Sequence, residues 1–388
     1  LIPLARLAEK YYKKDDCSIF VPKGYNVNYN KAEDLSFIAR IHKAISIIQF
    51  KLEYDLIKRK PGFLLEDRLL LEKIDFEEHT VLIDGVKYPL LDSNFPTINP
   101  KKPYQLNKDE EEVINHLTQL FLHNEMLQKH ARYLVQNGSM YLKYNGNLLF
   151  HAAVPLTENK EFFKQEINGK VYYGKGLFDE FDRLVRSAFL NRYEKDNFDR
   201  DYFYILWQSA ASPLFGKHSM KTFERYFISD KKTHKEINNP YYKYRLEEDV
   251  LKMIYDEFDL NYKKSKIING HVPLDITKGD EVVLANKKIY SIDGGMSKEY
   301  SNKTSIGGYS LISDSHAYFL VSHERFDTYQ ALIHSEKDIV SITRSEELNS
   351  RRTYIYDTNK GQEIKSLIDD LYQLLDAYRS GTVIEKNK

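Results

Sequence analysis

The sequence predicts a mixed α/β protein, and three observations carry that expectation. Two long stretches, Ala32 to Lys60 and Lys108 to Gln136, repeat apolar residues every three or four positions, the period of an amphipathic helix. Asp84-Gly85, Asn145-Gly146 and Asn168-Gly169 lie between short apolar runs, as the turns of β-hairpins do. From Ile267 to Ser322 the pattern changes to short β-type runs separated by turn residues.

The elements follow in order. Leu1 to Tyr12 places Leu4, Leu7 and Ala8 on one side and reads as the end of a helix. A loop is expected around Lys23-Gly24-Tyr25-Asn26. In the first long helix Ile38, Ile41, Ile45, Ile48 and Leu52 form one stripe, and Pro61-Gly62 ends it. A shorter helix near Leu64 to Ile74 precedes a hairpin from Thr80 to Tyr88 and a proline-broken linker from Pro96 to Pro103. In the second long helix Val113, Leu117, Leu120, Leu127, Ala131 and Leu134 share a face that Asn124 interrupts. Glu110 to Glu112 suit the positive end of its dipole, and Gly138 is a natural stop. The two long helices are expected to pack antiparallel. His116, His123 and His130 recur every seven residues, with no carboxylate cluster beside them.

Met140 to Tyr144 and Leu148 to Phe150 then flank a hairpin turn, and the second strand delivers His151. Helices are expected near Phe178 to Phe189, Asp201 to Gln208, Met220 to Phe227 and Leu246 to Phe258. Strands follow at Ile267, Glu281 to Leu284, Lys288 to Ile292, Gly307 to Ile312 and Ala317 to Ser322. A last helix, Ile364 to Tyr378, turns Ile364, Leu367, Ile368, Leu371, Leu374 and Leu375 inward.

Composition excludes several classes. With 388 residues the chain has room for one large domain or two ordinary ones. Its formal net charge of zero offers no bulk attraction to nucleic acid or a membrane surface. The one cysteine, Cys17, excludes an intrachain disulfide and a Cys-based zinc cluster, and favours a reducing compartment. No apolar run approaches the roughly 20 residues of a membrane-spanning helix, and no secretory leader is read. The chain opens on Leu within an expected helix, which reads as a piece of a longer protein.

Chemistry concentrates at two strand ends. Ile267-Ile268-Asn269-Gly270-His271-Val272-Pro273 reads as a buried strand that stops abruptly and presents an imidazole. Gly270 is expected to take the tight or left-handed backbone, and Pro273 to end the ladder. Leu148-Leu149-Phe150-His151-Ala152-Ala153-Val154-Pro155 repeats the arrangement. Strand-end histidines project where open α/β sheets bind ligands, and neutral imidazole suits Mn, Fe or Zn. His151 and His271 are therefore half of a metal site, or else two satisfied core histidines. Ile292-Asp293-Gly294-Gly295-Met296 is a plain turn, or places Asp293 to orient a ligating imidazole. Lys217, Arg225 and His234, with Lys231 and Lys232, form a basic loop region that suits a phosphate or is a solvated surface.

Together these residues resemble the class III fructose-1,6-bisphosphatases of low-GC Gram-positive bacteria. The resemblance rests on Asn269 to Pro273, the run at 291–297, Ser212 to Lys217, Thr222 to Phe227 and Asn239-Pro240-Tyr241-Tyr242. It continues through Ile306 to Leu311, Asp357 to Gly361 and Leu1 to Lys23, and so covers essentially the whole chain. That family is similar to the calcineurin-like metallophosphoesterases, whose two-sheet sandwich carries two metal ions at the sheet ends. The resemblance implies that His151 and His271 bind one ion. It implies manganese, a sugar bisphosphate substrate, hydrolysis of fructose 1,6-bisphosphate to fructose 6-phosphate in gluconeogenesis, and a cytoplasmic location. The superfamily's Gly-His-x-His would put another ligand at position 273, where this chain has Pro273. The superfamily's first metal motifs, Asp-x-His, Gly-Asp-x-x-Asp-Arg and Gly-Asn-His-Asp/Glu, are all expected to be missing from the chain.

The expectation is accordingly the C-terminal, larger part of such an enzyme, with no catalytic residue of its own and a binuclear site only partly encoded. A helical insertion is expected over 1–138. A partial metallophosphoesterase core is expected over 139–350, with an inserted helical segment at about 176–260. A terminal helix and tail occupy 351–388. Two alternatives stay open: a metallophosphoesterase for another phosphoester, and a non-catalytic helical and β interaction module. The Ile-rich helix would serve that module, or a homo-oligomer, as an interface; core packing is its simpler use.

Overall fold

The computed structural model describes residues 2–22, 32–272, 274, 279, 281–293, 308–323, 330, 333–334, 341–349 and 351–384. The loop expected at Lys23-Gly24-Tyr25-Asn26, Pro273 and Gly294-Gly295-Met296 lie outside the described residues. The described elements run α1 (Ile2–Tyr12), α2 (Ala32–Arg59), β1 (Ile74–Asp75), β2 (Thr80–Ile83), β3 (Val86–Pro89), α3 (Lys108–His123) and α4 (Glu125–Asn137). Next come β4 (Tyr141–Tyr144), β5 (Asn147–Phe150), β6 (Gln165–Ile167), β7 (Lys170–Tyr172), α5 (Gly174–Leu190), α6 (Asp201–Gln208), α7 (Thr222–Phe227), α8 (Tyr241–Tyr244) and α9 (Glu248–Glu257). The chain continues with β8 (Ile267–Asn269), β9 (Val283–Leu284), β10 (Ile289–Ser291), β11 (Gly308–Ser313), β12 (Ala317–His323), β13 (Ser341–Leu348) and α10 (Asn359–Arg379). The mixed α/β class is thus as expected. By contact the chain divides into two units, one of Leu1–Met140 with Ala153–Tyr244 and one of Tyr141–Ala152 with Arg245–Lys388.

The first unit is built around α2. Its core joins Leu4, Leu7 and Tyr12 of α1, Ala44, Ile47, Ile48 and Phe50 of α2, Val113 of α3, and Phe223 and Phe227 of α7. The expected stripe is corrected in part: Ile48 is buried, Ile38, Ile41 and Ile45 are half-buried, and Leu52 is exposed. The reason is that α2 is enclosed on more than one side, and its charged residues turn inward with partners. Lys43 Nζ lies 2.5 Å from Asp15 and 2.6 Å from Asp92. Lys51 Nζ donates to Glu110 at 2.7 Å and to the Thr97 carbonyl at 2.7 Å. Arg68 reaches Glu53 at 2.7 Å. Helix α1 packs on both α2 and α3, in place of the expected simple antiparallel pair.

Two other expectations change. The helix expected near Leu64 to Ile74 is instead a run of single 3₁₀ turns, Glu66–Arg68 and Leu71–Lys73, leading into β1. The helix over Lys108 to Gln136 is two helices. Asn124 leaves the helical backbone (φ −77°, ψ 107°), and its side chain accepts from the Leu127 amide to cap α4. None of the residues of α4 is buried, so Leu127 and Leu134 face outward. The Asp84-Gly85 and Asn168-Gly169 hairpins form as read, with positive φ at both turn residues.

The second unit holds a five-stranded sheet in the order β4-β5-β8-β10-β9. Its central strands β5, β8 and β10 run parallel, with Leu148 opposite Ile267 and Ile267 opposite Ile289. β4 and β9 close the two edges antiparallel. The central strands are short apolar runs because they are covered on both faces. A three-stranded sheet, β11-β12-β13, meets them through Tyr290 stacked on Tyr318 and through Tyr318 Oη, 3.1 Å from Asn147 Nδ2. Helix α10 forms as expected, but its apolar face does not turn inward. Leu367 and Leu371 are 61% and 65% exposed. The helix is fixed at its base, where Asn359 and Asn145 exchange backbone-to-side-chain hydrogen bonds of 2.6 and 3.0 Å.

Candidate functional site

Three parallel strands end side by side, and each delivers one residue of interest. β5 runs out into His151, β8 into Gly270-His271, and β10 into Ile292-Asp293. The ladder continues past the strands: the Gly270 amide donates to the His151 carbonyl at 3.0 Å, and the Ile292 amide to the Asn269 carbonyl at 2.9 Å. This is the carboxyl edge of a parallel sheet, where α/β folds open a ligand crevice. The left-handed backbone belongs to His271 (φ 73°), not to Gly270 as expected. Such a conformation disfavours a side chain with a Cβ and is held by its surroundings. Gly270 contributes closeness instead: a Cβ there would lie 3.6 Å from Asp293 Cβ.

The two imidazoles meet. His151 Nε2 and His271 Nδ1 are 2.9 Å apart, with ring centroids at 4.7 Å and planes at 70°. One ring donates and the other accepts, so one facing nitrogen is unprotonated and its lone pair is held by the other ring. Desolvation at the strand ends pushes the His151 imidazole below the ordinary histidine range, and the Asp293 carboxylate opposes that shift. Both effects favour a usable site: desolvation keeps the ring neutral, and the carboxylate supplies negative potential for a cation. The facing nitrogens are about as close as neighbouring ligand atoms on one ion with metal–nitrogen bonds of roughly 2.0–2.1 Å. To bind that way His151 would carry its proton on Nδ1 and His271 on Nε2. The donor set therefore fits part of a coordination shell. Among the described residues no group of three or more His, Cys, Asp or Glu side chains is placed to complete one.

A buried polar relay beneath the histidines was not singled out from the sequence. Asn269 donates from Nδ2 to the Ala152 carbonyl at 3.1 Å and accepts on Oδ1 from Ser291 Oγ at 3.0 Å. Arg245 donates to the same hydroxyl at 3.4 Å. Asn269 and Ser291 are both buried and are register partners in β8 and β10. They tie together the residues next to His151, His271 and Asp293. Their signal was present in the sequence, as one polar residue closing each of the apolar runs Ile-Ile-Asn and Ile-Tyr-Ser. Arg245 offered none.

The basic residues lie in the first unit, and two of them, Lys217 and Arg225, meet at Glu236. Lys217 pairs with it at 2.6 Å and Arg225 at 3.4 Å. Burial raises the Glu236 carboxyl, but the Lys217 hydrogen bond and the Lys221 amide more than offset this and hold it below its usual range. Arg225 also donates to the His234 carbonyl at 3.3 Å, while the His234 ring bonds the Ile228 carbonyl at 2.8 Å. A phosphate would compete with Glu236 for these cations. Other histidines have structural uses: His42 bridges the Phe20 carbonyl and Tyr226 Oη. The break at Asn124 places His130 on a different helix from His116 and His123. Contrary to the expectation that no Asp-x-His occurs in the chain, one such triplet, Asp314-Ser315-His316, follows β11. It forms a turn in which Asp314 accepts from the His316 and Ala317 amides at 2.7 and 2.8 Å.

Comparison with known proteins agrees with the motifs. A family model described as Firmicute fructose-1,6-bisphosphatase matches residues 1–380. The chain is 48% identical over 390 residues to the fructose-1,6-bisphosphatase class 3 of Clostridium tetani, covering 99% of this chain and 58% of that one. It is 48% identical over 393 residues to that of Alkaliphilus metalliredigens, with 100% and 59% covered. For the Clostridium botulinum Langeland protein the figures are 44% over 390 residues, with 100% and 58% covered. The chain thus spans less than two thirds of the length of these curated relatives. No solved structure matches it.

Proposed function

Because the chain belongs to the Firmicute fructose-1,6-bisphosphatase family, we propose that it forms part of an enzyme removing one phosphate from fructose 1,6-bisphosphate, in cytoplasmic gluconeogenesis. The observation that carries the reading is the meeting of His151 and His271, 2.9 Å apart, at the ends of adjacent parallel strands. A satisfied core histidine needs no such partner from another strand. Among the described residues no helix is long and apolar enough to cross a membrane.

In this reading His151 and His271 hold one manganese ion of a binuclear, calcineurin-like site, and the other ligands come from polypeptide outside these residues. A bound divalent ion supplies positive charge to the phosphoryl oxygens and acidity to water. The chain's own residues present and orient. Asn269 and Ser291 hold the strand ends in register, and Asp293 sets the electrostatic potential beside the rings. Lys217, Arg225 and His234 are proposed to meet the sugar phosphates, with Glu236 holding the two cations in place when no anion is bound.

The test is phosphate release from fructose 1,6-bisphosphate with Mn²⁺. The chain is assayed alone and as a chimera replacing the matching 390 residues of the Clostridium tetani relative. The chimera should turn over, and His151→Ala or His271→Ala within it should abolish turnover and lower the metal content. The chain alone should be inactive. Full activity in either histidine variant, substantial turnover by the chain alone, or a preference of the chimera for nucleotides or phosphoproteins would refute the reading.

A further inference from the structure

We propose that the apolar face of α10 is a docking surface for the part of the family chain that these residues do not match, presented as a broad apolar face of a folded body. The inference rests on the family reading above and adds to it a place of assembly. Ile364, Leu367, Ile368, Leu371, Leu374 and Leu375 form one stripe, and each is between 41% and 65% exposed. The other side of the helix carries Asp369, Asp370, Gln373 and Asp376. So large an apolar side on an ordered helix marks a contact surface.

The width of the stripe argues against a simple coiled-coil seam with a second copy. A helix that pairs with a second copy through a coiled-coil seam needs apolar residues only at alternating three- and four-residue steps, here 364, 367, 371, 374 and 378. Positions 368 and 375 flank that seam and would carry charge. They are Ile and Leu. The resulting stripe has the width of a helix facing the core of a globular domain. Its base is rigid. Thr358 caps the first turn by accepting from the Gly361 amide at 3.0 Å, and Gly361 packs so closely on the Ile355 backbone that no Cβ would fit. A groove of about 670 Å³ opens there, lined by Tyr354, Ile355, Ile364 and Ile368 together with Arg352 and Lys365, and its apolar lining can receive an apolar side chain. A body of sufficient size exists in the family, since the relatives are longer than the matched region by some 41–42% of their length.

The test co-expresses this chain, tagged, with the residues of the Clostridium tetani relative that lie outside the match, and reads assembly by affinity capture and light scattering. A one-to-one complex is expected. Leu367→Asp with Leu371→Asp should weaken it on the order of a hundredfold or more, because two buried leucines become charged. The exposed positions should leave the circular dichroism of the chain alone unchanged. Asp369→Lys on the polar side should leave the complex intact. Failure to assemble, a homodimer that persists instead, or a complex indifferent to the double substitution would overturn the proposal. Phosphate release is read separately: a complex that assembles through α10 but hydrolyses nothing sustains the docking surface and removes the proposed activity.

Discussion

Asn269→Leu tests how the histidine pair is held. The substitution keeps approximate volume but removes the donor to the Ala152 carbonyl (3.1 Å) and the acceptor for Ser291 Oγ (3.0 Å). Asn269 is buried, so water cannot replace either bond without rearrangement. Each buried hydrogen-bonding group stripped of a partner costs about 1–3 kcal/mol. Arg245 donates to Ser291 Oγ at 3.4 Å and so cannot accept the hydroxyl proton that Asn269 took. The expected loss is therefore about 2–6 kcal/mol. Urea unfolding followed by tyrosine fluorescence measures it, with the m-value checked for a change in the compactness of either state. Ser291→Ala should cost less, because only one of the two bonds goes. The argument also predicts that His151 and His271 lose their fixed relation, visible as line broadening of both imidazoles in the NMR spectrum. A variant as stable as the parent, with sharp and unshifted His151 and His271 signals, would refute the idea that Asn269 ties the strand ends.

Three further outcomes follow from the same geometry. Lys51→Met strands the Glu110 carboxylate, whose side chain is only 1% exposed, and should destabilise the first unit by roughly 3–5 kcal/mol; Lys51→Met with Glu110→Met should recover much of that in denaturant melts. His151 should titrate below the ordinary 6.5, and Asp293→Asn should lower it further by removing the opposing carboxylate charge, as followed by imidazole NMR. The folded ring then binds protons less readily than the unfolded one, so its contribution to stability is present above 6.5 and is lost as pH falls through the window below it. Burial pushes the Cys17 thiol up to about 12, so iodoacetamide at pH 8 should label the native protein very slowly and the unfolded chain readily.

Features governed by neighbouring residues were legible in the sequence. Asn145-Gly146 turns because both residues take positive φ (47° and 74°), a local preference of those residue types. The strand-end placement of His151 and His271 was legible for the same reason, since each follows a short apolar run. What depended on distant partners was not. Lys43, Lys51 and Glu53 stand outside the expected apolar stripe of α2, yet their partners lie 15 to 59 residues away and draw them into the core. Strand β13, Ser341–Leu348, was missed because it is largely polar and exposed, and only pairing with β12 defines it. Helix α10 was correctly amphipathic, but period alone cannot say which body covers its apolar side. At the site, the sequence suggested Asp293 as a turn residue beside an imidazole. The contact of the two rings, and the Asn269 relay beneath them, required the sheet register.

The most direct test of the central claim is a Mn²⁺ titration of the chain, observed through the imidazole resonances of its 12 histidines. The account predicts that His151 and His271 broaden first and together, at the same ion concentration, and that His271→Ala removes the effect at His151. Broadening that begins at His116, His123 or another histidine, or that reaches His151 and His271 independently, would contradict it.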